Sequence, residues 1–84
     1  KKHRATPFEG IPEKLSALAR AHSVLKRGGD SLALADPPDV PDSEEELGEL
    51  LLGIVQGARA KGLDSERALR TRLRNIEADS APSA

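Results

Sequence analysis

The sequence predicts an all-α domain of two to three helices, and three observations carry that expectation. Apolar residues recur at spacings of three and four along three stretches. Prolines fall at the borders of those stretches or between them. A capping box, Ser43 followed by Glu46, opens the middle stretch.

The first helix is expected over about residues 12–27. Pro12 suits a first turn, where its missing N–H costs nothing. Leu15, Leu18, His22 and Leu25 then share one face, and Gly28-Gly29 ends the helix. The second is expected over about 43–61. Ser43 accepts from a free backbone N–H, and Glu44, Glu45 and Glu46 favour the positive end of the helix dipole. Leu47, Leu50, Leu51, Ile54, Val55 and Ala58 form a broad apolar stripe, and Lys61-Gly62 stops it. The third is expected over about 64–77, capped by Asp64 or Ser65, with Ala68, Leu69, Leu73 and Ile76 inward among Arg67, Arg70, Arg72 and Arg74.

Around these lie an approach segment (1–11), a loop (28–42) and a tail (78–84) expected to be disordered. The loop carries Pro37, Pro38 and Pro41, and its Leu32-Ala33-Leu34 could cover an apolar surface. A structureless loop of that length is unusual in a compact domain.

With 84 residues the chain is one domain at most, and 12–77 is read as that domain. Such a domain buries only ~60–65% of the surface its unfolded chain exposes. Phe8 is the one aromatic residue, so Leu, Ile, Val and Ala must build the core. The expectation is a bundle completed by dimerisation or by a neighbouring domain. The chain begins at Lys1, not Met, which reads as a segment of a longer protein.

Thirteen Lys+Arg stand against 14 Asp+Glu, for a net charge of -1. That balance argues against a dedicated nucleic-acid-binding domain. Residues 1–4 are basic, 36–49 acidic and 59–74 basic again. Without cysteine there is no disulfide and no cysteine-ligated metal, which fits a cytoplasmic protein. No apolar run approaches the ~20 residues of a membrane span, and no signal peptide is visible.

Chemistry has few candidates. Glu46 and Glu49 sit three apart on one edge of the apolar stripe, with Gly53 and Gln56 on the same edge. Two carboxylates and an amide could hold a hard cation such as Mg²⁺. The competing role is ordinary: acidic residues in a first turn complement the dipole. His22, on the apolar face of the first helix, reads as a half-buried packing residue, and His3 as solvated. The third helix's arginines could clamp phosphates or form a solvated basic face. There is no Walker loop and no G-x-G-x-x-G.

Two stretches resemble the MazG family of nucleoside triphosphate pyrophosphohydrolases. Residues 10–21 (Gly-Ile-Pro-Glu-Lys-Leu-Ser-Ala-Leu-Ala-Arg-Ala), with Lys26-Arg27 after them, are similar to the family's Gly-Val-Pro-x-x-Leu-Pro-Ala-Leu-x-Arg-Ala. Residues 45–51 (Glu-Glu-Leu-Gly-Glu-Leu-Leu), with Ala58-Arg59, Gly62-Leu63-Asp64 and residues 66–70 (Glu-Arg-Ala-Leu-Arg), are similar to its Glu-Glu-Leu-Gly-Asp-Leu-Leu helix and Gly-Ile-Asp-Pro-Glu-x-Ala-Leu-Arg continuation. The resemblance covers residues 10–27 and 44–77 and points to the C-terminal part of such a protein. It implies an all-α, dimeric fold that hydrolyses nucleoside triphosphates to monophosphate and pyrophosphate with Mg²⁺. Family metal ligands lie in a Glu-Glu-x-x-Glu motif on one helix and a Glu-x-x-Asp motif on the next. Glu46 and Glu49 match the second, with Glu for Asp, and Gln56 falls where many members have Asn.

The sequence departs from the pattern where the Glu-Glu-x-x-Glu helix should stand. Gly28–Asp42 occupies that place, as if a helix were deleted. Asp30, Asp36, Asp39 and Asp42 lie there without ligand spacing. Residues 71–77 (Thr-Arg-Leu-Arg-Asn-Ile-Glu) align with the family's terminal Arg-Phe-Arg-x-Val-Glu, skipping a stretch whose Asn and Lys face the nucleotide.

The resemblance therefore implies a non-catalytic packing and dimerisation segment, with the active domain upstream. One alternative is residual nucleotide chemistry, with Mg²⁺ on Glu46 and Glu49 and the nucleotide on Gln56, Arg70, Arg72 and Arg74. The other is a helical adaptor that binds a partner helix along Leu47–Ala58.

Overall fold

The computed structural model describes residues 10–12 and 14–79. Among them are three α-helices and no strand, as the periodicity predicts. Helix α1 spans Ala17–Gly28 and runs into a 3₁₀ turn at Gly29–Ser31. Helix α2 spans Glu44–Ala60, and α3 spans Ser65–Asp79. None is long and apolar enough to cross a membrane. Phe8, His3 and the basic residues 1–4 lie outside the described residues, as do residues 80–84 of the expected tail, whereas Ala78 and Asp79, also expected in that tail, extend α3. The chain divides into two units, one joining the residues up to Ala33 to those from Glu66, the other Leu34–Ser65.

In the first unit α1 begins five residues later than expected, and Pro12 lies outside it. The reason is the capping that the start receives. Ser16 Oγ accepts from the Ala19 N–H at 3.2 Å. The Ala17 N–H donates to a Glu66 carboxylate oxygen at 2.8 Å. Glu66 belongs to α3, so a carboxylate distant in sequence satisfies an orphan donor at the positive end of α1. Arg70, one turn on, donates to that same oxygen and to the Leu15 carbonyl at 3.2 Å.

The inward face of α1 also differs from the expected one. Leu18, His22 and Leu25 are exposed. The buried residues are Ala17, Arg20, Val24 and Gly28, with Ala21 half-buried. At about 100° per residue these cluster around one direction, about a quarter turn from the Leu18–His22–Leu25 stripe. An arginine can face inward among these small residues because α3 supplies its counter-charge, Glu77. His22 is thus a surface residue and does not pack in the core.

Arg20 is only 7% exposed. Its Nε and Nη2 donate to both oxygens of Glu77, at 2.9–3.1 Å, and Nη1 reaches the Pro12 carbonyl at 3.4 Å. Beside this pair lies the apolar cluster of Ile11, Val24, Leu73 and Ile76, with Leu15, Ala21, Leu32 and Leu69 packed against it. The inward residues expected on α3 are confirmed at Leu73 and Ile76, while Ala68 is exposed.

Helix α1 ends as the sequence predicts, at Gly28-Gly29. Gly29 has a φ of 51° and returns its N–H to the Leu25 carbonyl. Leu32 then folds back over the helix end. A Cβ on Gly28 would lie 2.6–2.8 Å from three Leu32 side-chain atoms, so only glycine admits that contact.

In the second unit, residues 34–41 have no regular structure, as Pro37, Pro38 and Pro41 demand. Ser43 caps α2, its Oγ accepting from the Glu46 N–H at 3.2 Å. The far end closes at Gly62, with φ 76°. There Leu63 N–H bonds the Ala58 carbonyl at 2.8 Å and Gly62 N–H the Arg59 carbonyl at 3.0 Å, the Schellman arrangement. Both ends of α2 thus fall within a residue of expectation.

Two stability outcomes follow from the first unit. Glu77→Ala strands a buried guanidinium and should cost on the order of 3 kcal/mol in urea unfolding. The Arg20→Leu, Glu77→Leu double variant should lose less than that single change, because removing both charges leaves no unpaired ion. Gly28→Ala should destabilise by ~1–3 kcal/mol through overpacking, despite alanine's better helix propensity. In a Leu32→Ala background the same change should be neutral or stabilising, and a loss of similar size there would refute the steric account.

Candidate functional site

Glu46 and Glu49 stand about one turn apart on α2, and both are exposed. The Ser43 cap fixes where Glu46 sits, since its backbone N–H holds the cap hydroxyl. Gln56 is exposed two turns further on, beside an open surface depression that it lines with Arg59 and Ala60. The Glu46–Glu49 pair brings two carboxylate groups to one helix edge. Among the described residues no three acidic or histidine side chains are grouped closely enough to hold a metal ion. A Mg²⁺–triphosphate site needs several carboxylates to balance cation and phosphate charge. The two on α2 do not make such a donor set by themselves, and Asp36, Asp39 and Asp42 are not grouped with them.

The candidate arginines belong to α3, in the other unit. Arg72 and Arg74 are exposed. Arg70 is half-buried and engaged, holding the Glu66 carboxylate and the Leu15 carbonyl at the start of α1. Its fork therefore does structural work at a helix terminus.

The most distinctive surface is the apolar face of α2. No residue of this helix is buried. Leu50, Leu51, Ile54 and Val55 are all exposed, Ile54 by 55% and Leu51 by 37%, with Leu47 and Ala58 half-buried. A stripe that wide is the inward face of a helix in a folded protein, and here it meets solvent. Gly53 and Gly57 add no bulk, since a Cβ on either would meet nothing within 4 Å. Chemically this face offers apolar area and close backbone approach. It presents no nucleophile and no general base.

Sequence reasoning missed the Arg20–Glu77 and Glu66–Arg70 groups. A signal existed for the first: Arg20 shares a helical face with Ala17, Ala21 and Val24, and Glu77 adjoins the Leu69–Leu73–Ile76 stripe. Two opposite charges beside two apolar faces are candidates for a buried pair. No local pattern marks Glu66 as the cap of a helix 49 residues earlier. No protein-family model matches this chain, and neither a curated protein nor a solved structure matches it.

Proposed function

We propose that this chain is the C-terminal part of a MazG-type nucleoside triphosphate pyrophosphohydrolase, and that the segment itself is a packing and dimerisation element, not the catalytic one. The observation that carries the reading is the exposed apolar face of α2, from Leu47 to Ala58. Burying one Leu or Ile side chain contributes roughly 1.5–3 kcal/mol, so the exposed Leu50, Leu51, Ile54 and Val55 on one helix face represent a substantial unused association surface. The resemblance of residues 10–27 and 44–77 supports the family assignment. The missing Glu-Glu-x-x-Glu helix and the two-carboxylate donor set support the non-catalytic role. In this reading nucleoside triphosphate and Mg²⁺ are handled by the upstream domain, and the location is cytoplasmic.

Two measurements test it. Pyrophosphate release from a panel of nucleoside triphosphates with Mg²⁺ should be absent from the chain and from its Glu46→Gln, Glu49→Gln variant. Release by the unsubstituted chain that the variant abolishes would establish a catalytic site and overturn the reading. In sedimentation velocity the chain should associate in the micromolar range, and Leu51→Glu with Ile54→Glu should leave it monomeric with its helix content retained. An unsubstituted chain as monomeric as that variant would remove the packing role.

A further inference from the structure

The apolar face of α2 has a finer order than a stripe. Glu44, Leu47, Leu51, Ile54, Ala58 and Lys61 follow one another at alternating spacings of three and four. That is the seam of a two-helix coiled coil, positions that face a partner helix along its length. The seam is apolar in its middle, acidic at its first position and basic at its last. Glu44 and Lys61 are both exposed.

The seam is also complementary to its own reverse. Folded about the point between Leu52 and Gly53, the seam positions pair Leu51 with Ile54 and Leu47 with Ala58. Outside these they pair Glu44 with Lys61. Along the seam apolar matches apolar, and at its ends acid matches base. A Cβ on Gly48 or Gly57 would meet nothing within 4 Å, so the flanks of the seam are open to a neighbouring backbone.

We infer that α2 pairs with α2 of a second copy of this chain, antiparallel, about a two-fold axis passing between Leu52 and Gly53. This rests on the packing reading above and adds the partner's orientation and register. The charges select them. Antiparallel pairing sets Glu44 against the partner's Lys61 twice over. Parallel pairing sets Glu44 beside the partner's Glu44 and Lys61 beside the partner's Lys61, where like charges repel. The pairing is isologous, as a closed two-fold dimer requires.

The chain has no cysteine, so single cysteines report the geometry cleanly. A disulfide needs Cα atoms within ~7 Å. In the antiparallel pair the two copies of position 44 lie about 25 Å apart along the helix axis, at 1.5 Å per residue. Chains carrying Glu44→Cys and chains carrying Lys61→Cys, one of them isotope-labelled, should therefore cross-link to each other in a glutathione redox buffer and not to themselves. Charge reversal gives a second readout. Glu44→Lys should weaken dimerisation roughly tenfold, and adding Lys61→Glu should restore most of it. A dimer in which Glu44→Cys links to itself overturns the antiparallel inference and leaves the packing reading standing. So does a Glu44→Lys variant that dimerises as well as the parent. A chain that is monomeric throughout the micromolar range overturns both.

Discussion

Arg20 occupies a position that a hydrophobic core would ordinarily reserve for leucine. It is tolerated because Glu77 meets it with both carboxylate oxygens and the Pro12 carbonyl takes a remaining N–H. Desolvating a guanidinium is expensive, and only a well-formed bidentate partner offsets that cost. The consequence reaches every piece of the first unit. The pair joins α1 to α3 and ties the chain before α1 to both. It also sets the face of α1 that points inward. Gly28 is small because Leu32 folds back over it, and among the described residues Val24 is the largest side chain fully buried.

The Glu66–Arg70 pair follows the same logic one turn earlier on α1. Four residues on α3 separate the two, so both reach the start of α1, where free N–H groups need an acceptor. One carboxylate caps the helix while an arginine balances its charge and holds the preceding carbonyl. Two polar clamps bracket an apolar cluster of few residues. In a domain this poor in aromatics, directional contacts carry the specificity that core volume cannot.

These clamps explain which parts of the structure were legible in the sequence. Helix α2 was readable to within a residue, because its limits are local: a serine cap, acidic residues in the first turn, a glycine stop. The ends of α1 divide on the same principle. Its C-terminus is set by Gly29 and was readable, whereas its N-terminus is set in part by Glu66 and was not. The inward face of α1 was misread because leucine periodicity points at Leu18, His22 and Leu25, and the true face is defined by size and by one buried charge pair. For the site residues, positions on helices were readable. Arg70's engagement with Glu66 and Leu15 was not, since it depends on a contact between segments 55 residues apart.

Helix α2 shows the opposite economy from α1. It has strong local signals and no buried residue, so its sequence specifies a helix without specifying, within the chain, what that helix packs against. Any helix with acid at its start and base at its end complements its own dipole, and so also complements an antiparallel copy. That general property would not by itself distinguish α2. What distinguishes it is that Glu44 and Lys61 fall on the seam line with Leu47, Leu51, Ile54 and Ala58, and that these seam positions mirror one another in kind about a single point. Dipole compensation requires only that the charges lie in the terminal turns, on any face. Their placement on the apolar face, where solvation is lost when a partner arrives, is the part of the pattern that helix stability alone does not call for.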